Sequence, residues 1–241
     1  MINIVEVFSS IQGEGLYVGT RQVFVRLAGC NLACTYCDTP NSHHTVKNAL
    51  VERTPGKRDF AQLPMQFSID NLARHINSLL AVPHHSISLT GGEPLCQAKM
   101  IAELLPQLKA PLYLETNGTL FQQLALVLPY IDIISMDIKL PTVTDKPYWQ
   151  EHKEFLLLAA RKNVFVKIVV TGKSQQTELQ QAFELVASVD HHIPVILQPV
   201  TPVNGCEAVL PDVLLFYQEK ALTLLNDVRV IPQTHKFMGY L

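Results

Sequence analysis

Three cysteines lie within eight residues near the start of the chain, Cys30, Cys34 and Cys37, in the spacing CxxxCxxC. This spacing brings three thiolates towards one point and supplies no fourth. A closed structural zinc site takes four protein ligands, and an iron–sulfur cluster held by cysteines normally takes four as well. Three ligands leave one coordination position for a small molecule that reacts, so the spacing predicts a catalytic metal centre.

The same cysteines also fit a zinc site completed by His43 or His44, which follow shortly after them. The other two cysteines, Cys96 and Cys206, stand apart, and we expect them to be small buried hydrophobic side chains. A total of five cysteines, three of them clustered, is typical of a metal centre in a reducing compartment rather than of a disulfide framework.

Composition limits the classes of protein that need consideration. The chain has 241 residues, 48% of them hydrophobic, and a formal net charge of −2. This length suits one domain or a slightly trimmed α/β barrel with a large core. No polybasic field is present to hold a nucleic-acid backbone or an anionic membrane, so direct binding to either is not expected. No secretory leader or membrane-spanning run is recognisable, and we expect a cytoplasmic enzyme.

Short apolar runs alternate with helical patterns along most of the chain. Strands are predicted at 23–28, 86–90, 112–116, 131–138, 164–170, 195–199 and 228–231. Helices are predicted at 69–80, 100–108, 121–128, 150–161, 177–189 and 211–225. The alternation predicts an α/β fold with a parallel sheet and outer helices, either an open barrel or a doubly wound sheet. We expect a partial (open) TIM-like barrel of about six or seven mostly parallel strands with outer helices.

Residues 41–66 form the least regular stretch, with a polar and basic middle. We interpret them as a loop insertion carrying short helix or coil. Nothing in repeats or composition divides the rest of the chain, so 1–241 is expected to form a single domain.

Two glycines, an acid and a proline, Gly91 to Pro94, end the predicted strand 86–90. A glycine has no Cβ, so the backbone there can approach a ligand closely. The exposed carbonyls, together with Glu93, are suited to a cation such as an α-ammonium group. In a barrel, reactive groups gather where strands end and turn towards the next helix.

The alternation of side chains predicts an unusually polar face on the strand at 131–138. Period-2 alternation places Ser135, Asp137 and Lys139 on one face of the predicted strand 131–138. Buried parallel strands are usually apolar on both faces, so inward polar groups need partners. These partners are either a ligand or each other, as an internal Asp137–Lys139 pair. Glu115 and Gln198 likewise interrupt apolar runs.

The motifs together resemble those of the radical S-adenosylmethionine (SAM) superfamily and, within it, the 7-carboxy-7-deazaguanine synthase family. In chain order they are SIQGEG (10–15), FVRLAGCNLACTYCDT (24–39), SLTGGEP (88–94), LETNG (114–118), SMDIK (135–139), VKIVVT (166–171), LQPV (197–200) and VIPQTHK (230–236). The resemblance spans nearly the whole chain and keeps the usual CxxxCxxC spacing.

The resemblance implies a carbon–nitrogen lyase that converts 6-carboxy-5,6,7,8-tetrahydropterin to 7-carboxy-7-deazaguanine, with ring contraction and loss of ammonia, in queuosine and 7-deazapurine biosynthesis. It implies a [4Fe-4S] cluster, S-adenosyl-L-methionine and Mg²⁺ as cofactors. The implied partners are the small-molecule pterin, a flavodoxin-type reductant and a second copy of the chain in a homodimer.

The resemblance also implies roles for individual residues, with no catalytic side chain because the radical is generated on SAM. The implied metal ligands are Cys30, Cys34 and Cys37 for the cluster and Thr39 for Mg²⁺. The implied cofactor-binding residues are Tyr36, Cys37, Asp38, Gly92, Glu93, Ser135, Met136, Asp137 and Gln198. The implied substrate-binding residues are Ile11, Gln12, Gly13, Glu14, Arg26, Thr90 and Leu241. Gln233, His235 and Lys236 are expected to close over the substrate.

Without the resemblance, Asp38 would be the natural candidate for the Mg²⁺ ligand. Two other classes remain open at this point. A glycyl-radical activating enzyme shares CxxxCxxC but commonly carries extra ferredoxin-like cysteine clusters, which this sequence lacks. A non-enzymatic zinc module explains the cysteines but leaves the Gly-Gly-Glu-Pro turn and the inward polar residues without a role.

Overall fold

The computed structural model describes residues 1–43, 47–203 and 205–239, so His44 and Leu241 lie outside the described residues. The strands are β1 Ile2–Ile11, β2 Arg21–Leu27, β3 Asn48–Glu52, β4 Phe60–Pro64, β5 Gln66–Phe67, β6 Ser86–Gly91, β7 Leu112–Thr116, β8 Ile133–Asp137, β9 Asn163–Val170, β10 Val195–Pro199 and β11 Val228–Val230. The helices are α1 Ile69–Leu79, α2 Ala98–Leu104, α3 Phe121–Val127, α4 Pro141–Thr144, α5 Trp149–Ala159, α6 Gln176–Val189, α7 Pro211–Leu222 and α8 Thr234–Met238.

All eleven strands belong to one sheet, in the order β11-β10-β9-β8-β7-β6-β2-β1-β3-β4, with β5 paired to β1. Seven consecutive strands of this order, β2 and β6 to β11, run parallel. The two ends of the order, β11 and β4, are not paired with each other within the described ranges. The prediction of an open α/β barrel with six or seven mostly parallel strands is confirmed.

The interpretation of residues 41–66 as a loop with short helix or coil is wrong for 48–52 and 60–64, which form strands. β3 and β4 pair as an antiparallel hairpin, and β3 joins β1 in parallel through Glu6↔Leu50 and Val7↔Val51. The hairpin was not predicted because β4 lies at the edge of the sheet, where none of its residues is fully buried. Its sequence therefore lacks the apolar alternation of a half-buried strand.

The two faces of the parallel strands serve different purposes. Side chains of one face, such as Val25, Leu89, Leu114 and Ile134, join the helices in one large hydrophobic core. The opposite face, here called the inner face, starts at the amino ends of the strands with a floor of apolar and aromatic side chains. This floor consists of Tyr113, Ile133, Phe165 and Ile196, packed by Leu16, Tyr17 and Ile231. Above the floor the inner face is polar.

The helices follow their sequence patterns closely. In α1 the buried residues Leu72, Ala73, Ile76 and Leu79 form one stripe, as expected for a helix that covers a sheet. Ser68 caps this helix by accepting a hydrogen bond from the Asn71 amide. Among the described helices, each is too short or too polar to cross a bilayer.

Replacing Phe165 by alanine should destabilise the fold. Phe165 is fully buried, and its ring centroid lies 6.4 Å from that of Tyr113 and 6.2 Å from that of Tyr17. The loss in free energy of unfolding should be about 3–5 kcal/mol, because truncating a buried aromatic ring leaves a cavity. Urea denaturation of the apoprotein measures it, with Phe237→Ala as the control because Phe237 is 83% exposed. A loss below about 1 kcal/mol would show that the floor repacks without cost.

Candidate active site

A cavity of about 760 Å³ opens above the floor, where β2 and β6 to β10 reach their carboxyl ends. Most of the residues predicted to bind a ligand line it. From the predicted sets these are Ile11, Gln12, Gly13, Glu14, Arg26, Cys30, Cys34, Tyr36, Cys37, Asp38, Thr39, Thr90, Gly92, Asp137 and Gln198. Gln233, His235 and Lys236 also line the cavity. Glu93, Ser135 and Met136 are not part of this lining.

The cysteine loop follows β2 and forms one wall of the cavity. Cys30, Cys34 and Cys37 form no disulfide bond and are of intermediate exposure. The loop is held by backbone hydrogen bonds, with the Gly29 amide donating to Ser42 O at 2.7 Å and the Cys37 amide donating to Cys34 O at 3.1 Å. Burial raises the pKa of the Cys30 and Cys34 thiols. Metal binding therefore has to displace protons from both.

The two glycines of the Gly-Gly-Glu-Pro turn pack against the backbone that leads into this loop. Gly91 has φ +132°, and a Cβ placed on it would lie 2.3 Å from Leu27 O. A Cβ on Gly92 would lie 2.2 Å from Gly29 O. The turn also donates the Glu93 amide to Gly29 O at 2.8 Å. Glycine is required at both positions because the backbone that leads to Cys30 occupies the space of a side chain.

Glu93 faces the protein and not the cavity, where it was expected to meet an α-ammonium group. Its Oε1 accepts hydrogen bonds from the Leu95 amide at 3.0 Å and the Thr116 hydroxyl at 2.9 Å. Its Oε2 accepts one from the Asn117 amide at 2.7 Å. Burial raises the pKa of this carboxyl to about 7. Glu93 therefore fixes the loops after β6 and β7 from beneath.

Two acids and two lysines form a buried charged chain along the inner face. Lys139 Nζ lies 2.6 Å from Asp137 Oδ2, and Lys167 Nζ lies 3.3 Å from Asp137 Oδ1. Lys167 also forms a short ion pair with Glu14 Oε2. Although burial alone would raise the pKa of Glu14, Lys167 holds that pKa below its ordinary value. Burial would lower the pKa of Lys139, but Asp137 beside it keeps that pKa well above its ordinary value.

The expected inward face of β8 is thus observed in part. Asp137 and Lys139 line the cavity and also pair with each other, so the internal pair considered as the alternative is present. Ser135 lies deeper on the same face and is buried. Met136 points the opposite way, into the core that β8 shares with the helices. Its side chain is therefore not available to a ligand in the cavity.

Polar groups from β1, β2, β6 and β7 surround the other half of the cavity. Gln12 Nε2 donates to Glu115 Oε1 at 2.8 Å and to Gln22 Oε1 at 3.0 Å. The Thr90 hydroxyl donates to Glu115 Oε2 at 2.9 Å. This network orients Gln12 and Thr90, which the sequence nominated, around Glu115, to which the sequence gave no role.

Arg26 has a carboxylate partner within the protein. Its Nε donates to Glu6 Oε1 at 2.5 Å, and the two residues are register partners across β1 and β2. The guanidinium also lies over the Phe8 ring, 5.9 Å from its centroid. Glu6 was missed because β1 was not recognised as a strand. Arg26 and Glu6 both line the cavity.

The segment after β11 covers one side of the cavity. Gln233 Nε2 donates to Glu14 Oε1 at 2.7 Å and to Asp38 Oδ2 at 3.1 Å. Lys236 Nζ lies 3.1 Å from Asp38 Oδ2. His235 packs so closely on the chain that a Cβ at Gly13 would lie 2.3 Å from its Nδ1. Gln233, His235 and Lys236 thus close over this part of the cavity, as expected.

The zinc alternative finds one histidine in place. His43 Nε2 lies 3.2 Å from Cys37 Sγ, whereas His44, the other candidate, is outside the described residues. Of the isolated cysteines, Cys96 is exposed and Cys206 is of intermediate exposure. The expectation that both are buried hydrophobic side chains is therefore wrong.

Comparison with known proteins decides between the classes. Residues 25–185 match the model of the Radical SAM superfamily. The chain is 44% identical over 242 residues to 7-carboxy-7-deazaguanine synthase from Geobacter sulfurreducens, covering 98% of this chain and 96% of that protein. It is 35% identical to 7-carboxy-7-deazaguanine synthase from Methanothermobacter thermautotrophicus, with 98% and 96% coverage. The chain belongs to the 7-carboxy-7-deazaguanine synthase family.

Solved structures agree with the fold of this family. The crystal structure of QueE from Escherichia coli matches with a TM-score of 0.63 and 21% identity, covering 97% of this chain and 94% of that chain. A radical SAM methyltransferase from Sphaerobacter thermophilus matches with a TM-score of 0.61 and 9% identity, covering 95% and 77%. At these identities the two structures show the fold alone.

Membership of the 7-carboxy-7-deazaguanine synthase family confirms the predicted recognition, enzyme class and radical SAM cofactors. It removes the glycyl-radical activating enzyme and the non-enzymatic zinc module as classes for this chain. The family name does not assign roles to Glu6, Glu115 and Lys167, which sequence analysis also left without roles. Glu115 and Lys167 each gave a sequence signal, as a charged residue that interrupts an apolar strand, whereas Glu6 gave none.

Glu93→Gln should destabilise this member of the family. Both carboxylate oxygens of Glu93 face a backbone amide, Leu95 N on one side and Asn117 N on the other. Either orientation of a glutamine amide would therefore turn an NH₂ donor against a backbone donor, at a cost of about 1–3 kcal/mol. Urea denaturation tests this, with the exposed Glu103→Gln as control. Equal stability of both variants would contradict the buried, fully bonded state of Glu93.

Proposed function

We propose that the chain converts 6-carboxy-5,6,7,8-tetrahydropterin to 7-carboxy-7-deazaguanine, with ring contraction and loss of ammonia, in queuosine and 7-deazapurine biosynthesis. One observation carries the proposal: three thiols without disulfide bonds, the Gly91–Gly92 turn and the paired charges of Glu14, Asp137, Lys139 and Lys167 share one cavity of about 760 Å³. A cavity of this size has room for a nucleoside cofactor and a bicyclic substrate together. The family relationship supplies the identity of the substrate.

The cysteine loop fits a cluster with three protein ligands. Cys30, Cys34 and Cys37 would hold it, since all three thiols face the cavity. When bound, the cluster and SAM supply the radical chemistry that begins the reaction by removing a hydrogen atom from the substrate. The chain itself supports the cysteine loop, because the Gly91–Gly92 turn packs against the backbone that leads to Cys30.

In the part of the cavity that is proposed to bind SAM, one side-chain acceptor is available to the cofactor. Gln198 Oε1 is buried and has no hydrogen-bond partner among the described residues. A buried acceptor without a donor is costly, and the amino group of an adenine would satisfy it. Tyr36, Asp38, Gly92 and Asp137 would complete the contacts, through backbone or side chain.

The substrate side combines an anion, a cation and neutral polar groups. Glu14, held ionised by Lys167, would accept hydrogen bonds from the amino group and ring N–H of the pterin. Arg26 would bind the substrate carboxylate with its terminal nitrogens, because Glu6 already takes Nε. Ile11, Gln12, Gly13 and Thr90 would line the rest of the ring. The role proposed for Leu241 concerns a residue outside the described part of the chain.

The Mg²⁺ ligand is proposed to be Thr39. Its hydroxyl lies in the cavity lining, 3.9 Å from Cys37 Sγ. Mg²⁺ prefers oxygen ligands and keeps several waters, so one protein hydroxyl together with substrate oxygens suffices. Asp38 is the alternative, but its Oδ2 already accepts from Gln233 and pairs with Lys236.

The proposed function also implies an electron donor, an oligomeric state and a cellular location. A cluster of this kind needs an external electron donor, for which a flavodoxin-type reductant is proposed. A homodimer is proposed from the family resemblance, and a cytoplasmic location from the clustered cysteines, which suit a reducing compartment. The formal net charge of −2 gives no reason to expect direct binding to nucleic acid.

Alanine at Cys30, Cys34 or Cys37 should abolish both cluster binding and turnover, because each removes one of three ligands. Anaerobic reconstitution followed by iron and sulfide analysis should give about four irons per chain for the parent. Chromatographic detection of 7-carboxy-7-deazaguanine gives the activity. Cys96→Ala and Cys206→Ala are matched controls that should retain both. One tightly bound zinc per chain, or product formation by a cysteine-loop variant, would refute the proposal.

Arg26→Lys should weaken the pterin far more than SAM. A lysine ammonium can pair with Glu6 or bind the substrate carboxylate, but it lacks the planar, forked N–H donors with which a guanidinium can do both. A hydrogen bond to a charged group contributes about 1.5–3 kcal/mol to the binding free energy. Anaerobic calorimetry with 6-carboxypterin and with SAM separates the two affinities. The control is Arg74→Lys on an exposed position of α1. Equal losses for the two ligands would assign Arg26 to the scaffold.

A further inference from the structure

We propose that Lys167 is a positioning residue that holds the substrate-side carboxylate of Glu14 in register with the SAM-side carboxylate of Asp137. The inference rests on the proposed function, and it concerns a residue to which neither the motifs nor the family name assign a role. Lys167 lies in the middle of β9, on the inner face, where strand residues normally are apolar in a buried parallel sheet.

The contacts of Lys167 join parts of the chain that are remote in sequence. Glu14 follows β1 and is 153 residues away, whereas Asp137 ends the neighbouring strand β8. Lys167 and Asp137 are register partners in the sheet. The ammonium therefore bridges a loop carboxylate to a carboxylate fixed by the sheet, and it does so in the cavity lining.

The two carboxylates differ in the number of cations that contact them. Asp137 has a second cation, since Lys139 Nζ lies 2.6 Å from it. Among the described residues, Lys167 is the only cation in ion-pair contact with Glu14. Removing the ammonium would thus leave Asp137 neutralised by Lys139 and Glu14 without a cation. The effect should fall on the substrate side of the cavity and much less on the SAM side.

Positioning, and not stability, is the better account of this lysine. A buried ion pair contributes little net stability compared with an apolar residue of similar volume. The Glu14 carboxylate receives one hydrogen bond from Lys167 and one from Gln233, on different oxygens. These two donors fix its plane and leave acceptor positions for the donor edge of an aminopyrimidinone ring.

Fixed spacing between the two ligands matters for hydrogen transfer. Reacting atoms must be held at about 3–3.5 Å, and a displacement of about 1 Å costs on the order of 100-fold in rate. Because Lys167 ties Glu14 to Asp137, it sets how far the substrate ring lies from the cofactor. A loosened Glu14 should let SAM be cleaved without productive transfer.

Lys167→Met in the reconstituted holoenzyme tests the proposal. The affinity for 6-carboxypterin should fall about tenfold or more, as for a lost charge-assisted hydrogen bond, whereas SAM affinity should change less than about threefold. The ratio of 5′-deoxyadenosine to 7-carboxy-7-deazaguanine should rise above that of the parent. Calorimetry and chromatography give these readouts. Lys173→Met, at an exposed lysine just beyond β9, is the matched control.

The double variant Glu14→Gln/Lys167→Met separates positioning from folding. It removes the uncompensated carboxylate, so thermal stability should recover relative to Lys167→Met while pterin affinity should not. Recovery of both would overturn the proposal, as would parental pterin affinity and product ratio in Lys167→Met. If the parent itself holds the cluster and SAM but neither binds 6-carboxypterin nor forms product, the proposed function fails instead.

Discussion

The burial of four charges in the inner face is the constraint on which the rest of this cavity depends. Glu14, Asp137, Lys139 and Lys167 carry two negative and two positive charges at short range. Loss of Lys167 would leave Glu14 without a cation in ion-pair contact among the described residues, and loss of Asp137 would leave Lys139 without its ion-pair partner. A largely buried charge left unpaired is strongly destabilising. The network holds the loop after β1 against β8 and β9.

Sequence reasoning located the parallel strands because each is buried on its helix-facing side by Val, Ile and Leu. It missed β1 for a physical reason. A bulge between Ile4 and Glu6 shifts the pairing register, so apolar residues fall out of period-2 alternation. The β3–β4 hairpin was missed because an edge strand needs no apolar face. Both omissions concern strands added beyond the parallel set.

The sequence could predict which residues of one strand share a face, but it could not predict which residues from different parts of the chain meet. Asp137 follows from alternation in its own strand, whereas Thr90 was indicated only by the family resemblance. The pair Arg26–Glu6 depends on which strands become neighbours, and the pair Lys167–Glu14 depends on the loop after β1 reaching β9, which is not a neighbour of β1 in the sheet. No local pattern encodes either pair. A local pattern also could not tell whether Glu93 faces the ligand or the loop beneath it, since both environments offer hydrogen-bond donors.

The cysteine loop is held by neighbouring loops as well as by its own backbone hydrogen bonds. Glu93 binds the Asn117 amide, and the Asn117 side chain donates to Asn31 Oδ1 at 2.9 Å, between the first two cysteines. Asn31 in turn donates to the Thr119 hydroxyl at 2.9 Å. The loops after β6 and β7 thus hold the cysteine loop in place. Such preorganisation lowers the cost of ordering protein ligands around a cofactor.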